Sequence, residues 1–197
     1  INYYLRPQKS IERKMFCHLF RELNSILNLK DYRYIGMGAK YFVDFMVFHR
    51  EFGFNKMISI EADKENIEKY EFNKPLNCIE MEYDYSSEAL RQIDWVGCKN
   101  NIIWMDYDEP LKAFMLEDIR TIISKSKSGS MFFFSYNSTL PRYFKDRLRV
   151  FRDNLGIYCP PNVINKDLTD IKKDKYAKQI IDNVIDNCIN IINSSSD

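Results

Sequence analysis

Five short apolar runs, at residues 32–35, 57–60, 78–81, 102–105 and 131–134, recur along this chain, and between successive runs lie stretches of helical length and polarity at 41–52, 64–72, 86–93 and 111–124. The runs are rich in β-branched or aromatic side chains, which reads as buried strands. Such β-α alternation leaves few choices of fold. Parallel strands joined by right-handed crossovers, with helices on both faces, satisfy it. The predicted architecture is a three-layer α-β-α fold with a mostly parallel sheet, and a ligand is expected beyond the carboxyl ends of the strands, near the point where strand order reverses.

At 197 residues, 45% hydrophobic and 15% aromatic, the chain is long enough for one well-buried core and short for two. It is read as one compact domain: an N-terminal helical cap at 1–30, a core at 31–137 and a helical extension at 138–197. With 29 basic and 28 acidic residues, no global field draws it to nucleic acid or to an anionic membrane. No apolar stretch approaches the roughly 20 residues that cross a bilayer, and no signal peptide is visible. A cytoplasmic protein is expected. Cys17, Cys78, Cys98, Cys159 and Cys188 never form a C-x-x-C pair, which argues for buried thiols over disulfides or structural zinc. An opening Ile1 is read as a sign that the native N-terminus lies upstream.

The first run leads into Gly36, Met37 and Gly38, and Glu61 closes the second. A strand, a glycine turn, a helix and a second strand ending on a carboxylate form the layout of a nucleotide-cofactor site. The glycines are expected to allow a tight turn and close backbone approach, and Glu61 to hold ribose hydroxyls. Each residue also has a plainer reading. A lone Gly-x-Gly is often only a turn, and a strand-terminal acid such as Asp84 can simply help start the next helix at Ser86 and Ser87.

These residues resemble those of the class I S-adenosylmethionine-dependent methyltransferases, over roughly residues 31–137. In that family the first strand ends in an acidic-x-Gly-x-Gly-x-Gly turn. Here Gly36 and Gly38 match two glycines, while Tyr34 replaces the acid and Lys40 the third glycine. The resemblance implies a Rossmann-like methyltransferase fold and S-adenosylmethionine as cofactor. It implies Glu61 for the ribose, Asp84 for the adenine amino group, and Tyr83 or Tyr85 for the adenine face. Asp106, in Trp104-Met-Asp-Tyr-Asp-Glu-Pro110, would face the methyl group and the acceptor. Asp106 and Asp108 are then the candidate catalytic residues, orienting an amine or hydroxyl or accepting its proton. The cofactor set is Gly36, Met37, Gly38, Glu61, Asp84, Tyr85 and Asp106. Asp106 and Asn137 also match two positions of metal-dependent O-methyltransferases, but Tyr136 stands where the second acid would be, so no metal is expected.

Other features carry competing readings. Ile11, Met15, Leu19, Leu23 and Leu27 make a helical stripe over 10–28, with Ser10 able to cap it. Arg6, Lys9 and Arg13 are read either as a cover for the cofactor mouth or as a solvated face. Asp44, on an apolar helix, either replaces the acid missing at Tyr34 or forms an internal ion pair or cap. His18 and His49 are read as surface or packed side chains. Beyond Asn137 the resemblance weakens. A basic helix at 142–152 and an amphipathic one over 167–192 follow, with Ile180, Ile181, Val184, Ile185, Cys188, Ile191 and Ile192 on an apolar face that is expected to pack on the sheet, on a protein partner or on a second copy.

Three functions stay open. The first is a methyltransferase with an unidentified acceptor, nucleic acid being unsupported. The second is a methyltransferase-like scaffold that has lost its chemistry. The third is a nicotinamide-dependent oxidoreductase, weakened by the absent third glycine and by the lack of a Tyr-x-x-x-Lys pair.

Overall fold

The computed structural model describes residues 7–38, 40–169 and 172–194. Arg6 of the basic segment, Ala39 of the glycine turn and the end at 195–197 lie outside the described residues. The strands are β1 (Arg33–Met37), β2 (Met57–Ile60), β3 (Ile79–Glu82), β4 (Asn101–Asp106) and β5 (Met131–Ser135). The helices are α1 (Pro7–Asn24), α2 (Val43–Phe52), α3 (Ile67–Asn73), α4 (Ser86–Gln92), α5 (Ala113–Lys125), α6 (Phe144–Leu155) and α7 (Lys172–Ser194).

The strands form one parallel sheet in the order β3-β2-β1-β4-β5. From β1 the chain steps outward through β2 to β3, then crosses to the other side of β1 to lay down β4. The reversal therefore falls beside β1, which pairs Gly36 with Ser59 of β2 and with Trp104 of β4. Buried parallel strands of this kind need apolar side chains on both faces, and β1, β2 and β4 are buried almost throughout.

The chain divides into two compact units, residues 1–105 with 126–133, and residues 106–125 with 134–197. The division does not follow the limits drawn from the sequence at 30 and 137. It separates Asp106 from the rest of β4 and passes through β5.

In the first unit an aromatic core dominates. Phe48 of α2 is fully buried and meets the rings of Phe20, Tyr34, Phe52 and Trp104. The structure corrects the first part of the expected stripe: Ile11, Met15 and Leu19 are 57, 67 and 39% exposed, whereas Arg13, Cys17 and Phe20 are buried and Leu23 and Leu27 pack against the core as expected. Both rows carry helical spacing. The row holding Phe16 and Phe20 wins because a large ring removes more apolar area from water than an aliphatic chain does. Phe16 lies 4.4 Å from Trp104 and 4.9 Å from Phe133, centroid to centroid.

Helix α1 already includes Pro7, the first described residue of the chain, so Ser10 lies inside the helix instead of capping it. Arg13 pairs with Asp44 in the first turn of α2, which settles Asp44 as a partner in an internal ion pair. Helix α2 begins at Val43, two residues later than expected, because buried Phe42 has φ 49° and ψ 36°, a left-handed conformation that cannot continue a helix.

In the second unit α7 packs against α5 through Ala177, Ile180, Val184 and Cys188, while Ile191 and Ile192 are exposed. The arginines of α6 are largely committed. Arg149 faces Asp146 and Asp153, and Arg147 and Arg152 donate to backbone carbonyls. Among the described residues no helix is long and apolar enough to cross a membrane.

Candidate functional site

In the first unit β1 delivers the glycine turn to the carboxyl edge of the sheet. Gly36 and Gly38 have φ outside the left-handed region, so space, and not conformational freedom, is what requires a glycine there. A Cβ on Gly36 would lie 2.7 Å from the Tyr34 hydroxyl and 3.0 Å from its ring. Tyr34 is 1% exposed and packs edge-on against Phe45 and Phe48. A Cβ on Gly38 would collide with Ser59 Oγ. Ser59 is fully buried, and its hydroxyl has no hydrogen-bond partner among the described residues.

The backbone brings the expected acids to the same edge. Gly38 N–H donates to Ile60 O at 2.7 Å, and the next residue, Glu61, donates its own N–H to Glu82 O at 3.0 Å. Glu61 is half-buried, and its Oε1 accepts the Asp63 N–H at 3.1 Å. Burial pushes the Glu61 carboxyl above its ordinary value, against the lowering effect of the Asp63 N–H and the Tyr70 hydroxyl. Tyr70 is itself pushed up by burial and by the Glu61 and Asp63 carboxylates.

Asp84 follows β3, accepts the Tyr85 N–H at 2.9 Å and pairs with Lys64 at 3.0 Å. The Lys64 ammonium holds its carboxyl below the usual range. Asp84 thus ties the connection after β2 to the one after β3. Tyr85 is largely exposed, while Tyr83 donates to Glu71 at 3.1 Å. Of the N-terminal cations, Lys9 pairs with Glu12 and stands 5.8 Å above the Trp104 ring.

The raised Glu61 carboxyl has a cost that can be measured. Its neutral form is favoured in the folded chain, so its contribution to stability is greatest below the ordinary value of 4.5 and declines as pH rises through the raised native value. Glu61→Gln keeps an oxygen for the Asp63 N–H and removes the charge. The urea midpoint of the ligand-free variant should exceed that of the wild type at pH 7, and the gain should vanish near pH 4. A lower midpoint at pH 7 would show that the charge stabilises the fold.

In the second unit, Asp106 closes β4 and its Oδ1 accepts the Ser135 hydroxyl at 2.7 Å. Tyr107 N–H donates to Ser135 O at 2.9 Å, and the buried Tyr107 hydroxyl donates to Asp118 at 2.7 Å. Asp108 is exposed. Asn137 N–H reaches Glu109 O at 3.0 Å, and its amide reaches Asp108 O at 3.4 Å. The segments after β4 and β5 are therefore bound together. Beside them is a cavity of about 360 Å³, bounded by the 110–111 and 136–141 segments and by α6 and α7. Among the described residues no three His, Cys, Asp or Glu side chains form a metal-holding group.

With this geometry established, comparison with known proteins gives one clear result. The model of a family described as "Putative O-methyltransferase" matches residues 1–197. The chain belongs to that family. Neither a curated protein nor a solved structure matches it.

Membership of the O-methyltransferase family agrees with the parallel five-stranded sheet and its flanking helices, the Rossmann-like methyltransferase arrangement. It implies a methyl donor of the S-adenosylmethionine type in general. The residues present fit such a group in part. Glu61 is a half-buried carboxylate beside the backbone of Gly38, and Ser59 supplies a buried hydroxyl without a partner among the described residues. At the position where the wider methyltransferase class has its turn acid, Tyr34 packs into the core, and Asp44 is engaged by Arg13. Sequence reasoning passed over Ser59, because a serine inside an apolar strand carries no local signal. It also passed over the cavity, whose walls come from four separated segments.

Proposed function

We propose that this O-methyltransferase family member binds S-adenosylmethionine and passes its methyl group to an oxygen of a small acceptor. The observation that carries the reading is the convergence of Gly36, Met37, Gly38, Glu61 and Asp84 on the carboxyl edge of β1, β2 and β3, at the reversal of strand order. When bound, S-adenosylmethionine supplies a methyl group whose bond to sulfur breaks with the electron pair left on sulfur, so the acceptor oxygen provides the new bond's pair and loses its proton.

Glu61 accepts the ribose hydroxyls and Asp84 the adenine amino group, with Tyr85 at the adenine face. The narrow backbone at Gly36 and Gly38 admits the cofactor closely. Asp106 and Asp108 orient the acceptor and take its proton. Little more is required of the protein, since holding the reactants in line and excluding water already supplies several kcal/mol of barrier lowering.

The packing of Tyr34 where the wider class carries an acid favours a second reading, a binding module without turnover. Calorimetric titration separates these possibilities. S-adenosylmethionine, its demethylated product and NAD are titrated into the wild type and into Glu61→Ala. Binding of either sulfur ligand, weakened at least tenfold by Glu61→Ala, is expected; binding of NAD alone sinks the proposal. Cofactor binding with no methyl release to any hydroxylated acceptor would leave only the second reading.

A further inference from the structure

We infer that the cavity in the second unit binds a small aromatic carboxylate bearing a hydroxyl. At about 360 Å³ the cavity falls in the range of small-molecule sites. That volume accommodates one aromatic ring with its substituents. Its walls are chiefly apolar, with Leu111, Leu140, Val150 and Phe151 among them. Such a surface favours a flat hydrocarbon body over a sugar.

Charge selects the rest of the ligand. Arg147 lines the cavity, and its guanidinium is fixed from two sides, by Nε to Pro141 O at 3.2 Å and by Nη1 to Leu168 O at 2.9 Å. Among the described residues no carboxylate pairs with it, in contrast to Arg149 two residues further on, which faces two. A half-buried guanidinium held on two carbonyls beside an apolar wall keeps N–H groups at Nη1 and Nη2, which favour a planar anion. Lys173, held on Ser138 O, adds a second positive charge to the lining, against the single carboxylate of Asp174.

The hydroxyl requirement comes from another part of the lining. Pro110 and Asn137 line the cavity, and Asn137 is bonded to the backbone of Asp108 and Glu109, so the lining runs directly into the acid-bearing segment after β4. A ring held by Arg147 shares the lining with that segment, whose polar groups suit a hydroxyl.

The test uses the full chain without cofactor, titrating 4-hydroxybenzoate, phenol and benzoate by calorimetry, with S-adenosylmethionine titrated separately. 4-Hydroxybenzoate should bind at least tenfold more tightly than phenol. Arg147→Gln should bring it down to the level of phenol, and Val150→Trp, which fills the cavity, should abolish binding of both. Neither variant should alter the affinity for S-adenosylmethionine. Equal affinity of the wild type for phenol and 4-hydroxybenzoate overturns the inference, and this comparison needs no variant to fold. So does 4-hydroxybenzoate binding that survives Val150→Trp. A chain that binds S-adenosylmethionine but no aromatic acid overturns the inference alone, whereas one that binds the acid but no sulfur ligand overturns the methyltransferase reading alone.

Discussion

Phe48→Ala should lower the free energy of unfolding by about 3–5 kcal/mol, the usual cost of truncating a fully buried phenylalanine. The expectation rests on packing. Phe48 is 0% exposed and lies edge-on to Phe20 at 5.2 Å and to Tyr34 at 5.2 Å, with Phe16, Phe52 and Trp104 at 6.4–6.5 Å. Its neighbours belong to α1, α2, β1 and β4, so a cavity there loosens every element that carries the glycine turn. Rings locked against one another on several sides collapse poorly into a void, which places the cost toward the upper end. A domain of this kind commonly has 5–15 kcal/mol in all, so the loss is a large fraction of it. Phe72, 89% exposed on α3, is the control, and Phe72→Ala should change stability by less than about 0.5 kcal/mol. Urea unfolding of the two variants decides the matter; midpoints lowered equally would mean that the aromatic cluster does not govern stability.

The sheet was legible because a four-residue apolar run between polar helical stretches has few places to go other than a buried parallel strand. All five runs became strands, with ends shifted by no more than two residues. The buried face of α1 was not legible, since rows at 11, 15 and 19 and at 13, 16, 17 and 20 both repeat at helical spacing. Only the ring partners of Phe16 and Phe20 choose between them, and those lie on β4, β5 and α2. At Gly36 and Gly38 the structure corrects one part of the expectation: neither supplies an unusual φ, and a Cβ there would meet Tyr34 or Ser59. The cavity lay beyond sequence reasoning altogether. In a linear reading Arg147 is one of several basic residues on a polar helix, and only the carbonyls of Pro141 and Leu168, brought together by the fold, distinguish it from Arg149.

Gly38→Ala should cost about 1–3 kcal/mol of stability, the range for forcing an extra carbon into a packed site. The atom in the way is Ser59 Oγ, on the central part of β2, and the Ile60 carbonyl follows at 3.4 Å. Neither can withdraw easily, because Ser59 is fully buried and the Ile60 carbonyl is held by Gly38 N–H. Ser59→Ala removes the colliding atom and leaves its Cβ 3.6 Å from the added carbon, an ordinary contact. The double variant should therefore recover most of the loss, a coupling that a double-mutant cycle in urea measures directly. Alone, Ser59→Ala should be neutral or stabilising, since it deletes a buried hydroxyl with no partner among the described residues. A natural chain that keeps such a hydroxyl against the interest of its own stability is expected to use it. Ser59→Ala should then weaken S-adenosylmethionine binding while leaving the fold as stable as before or more so. If the variant loses stability and keeps full affinity, Ser59 belongs to the packing of β2 and not to the cofactor site.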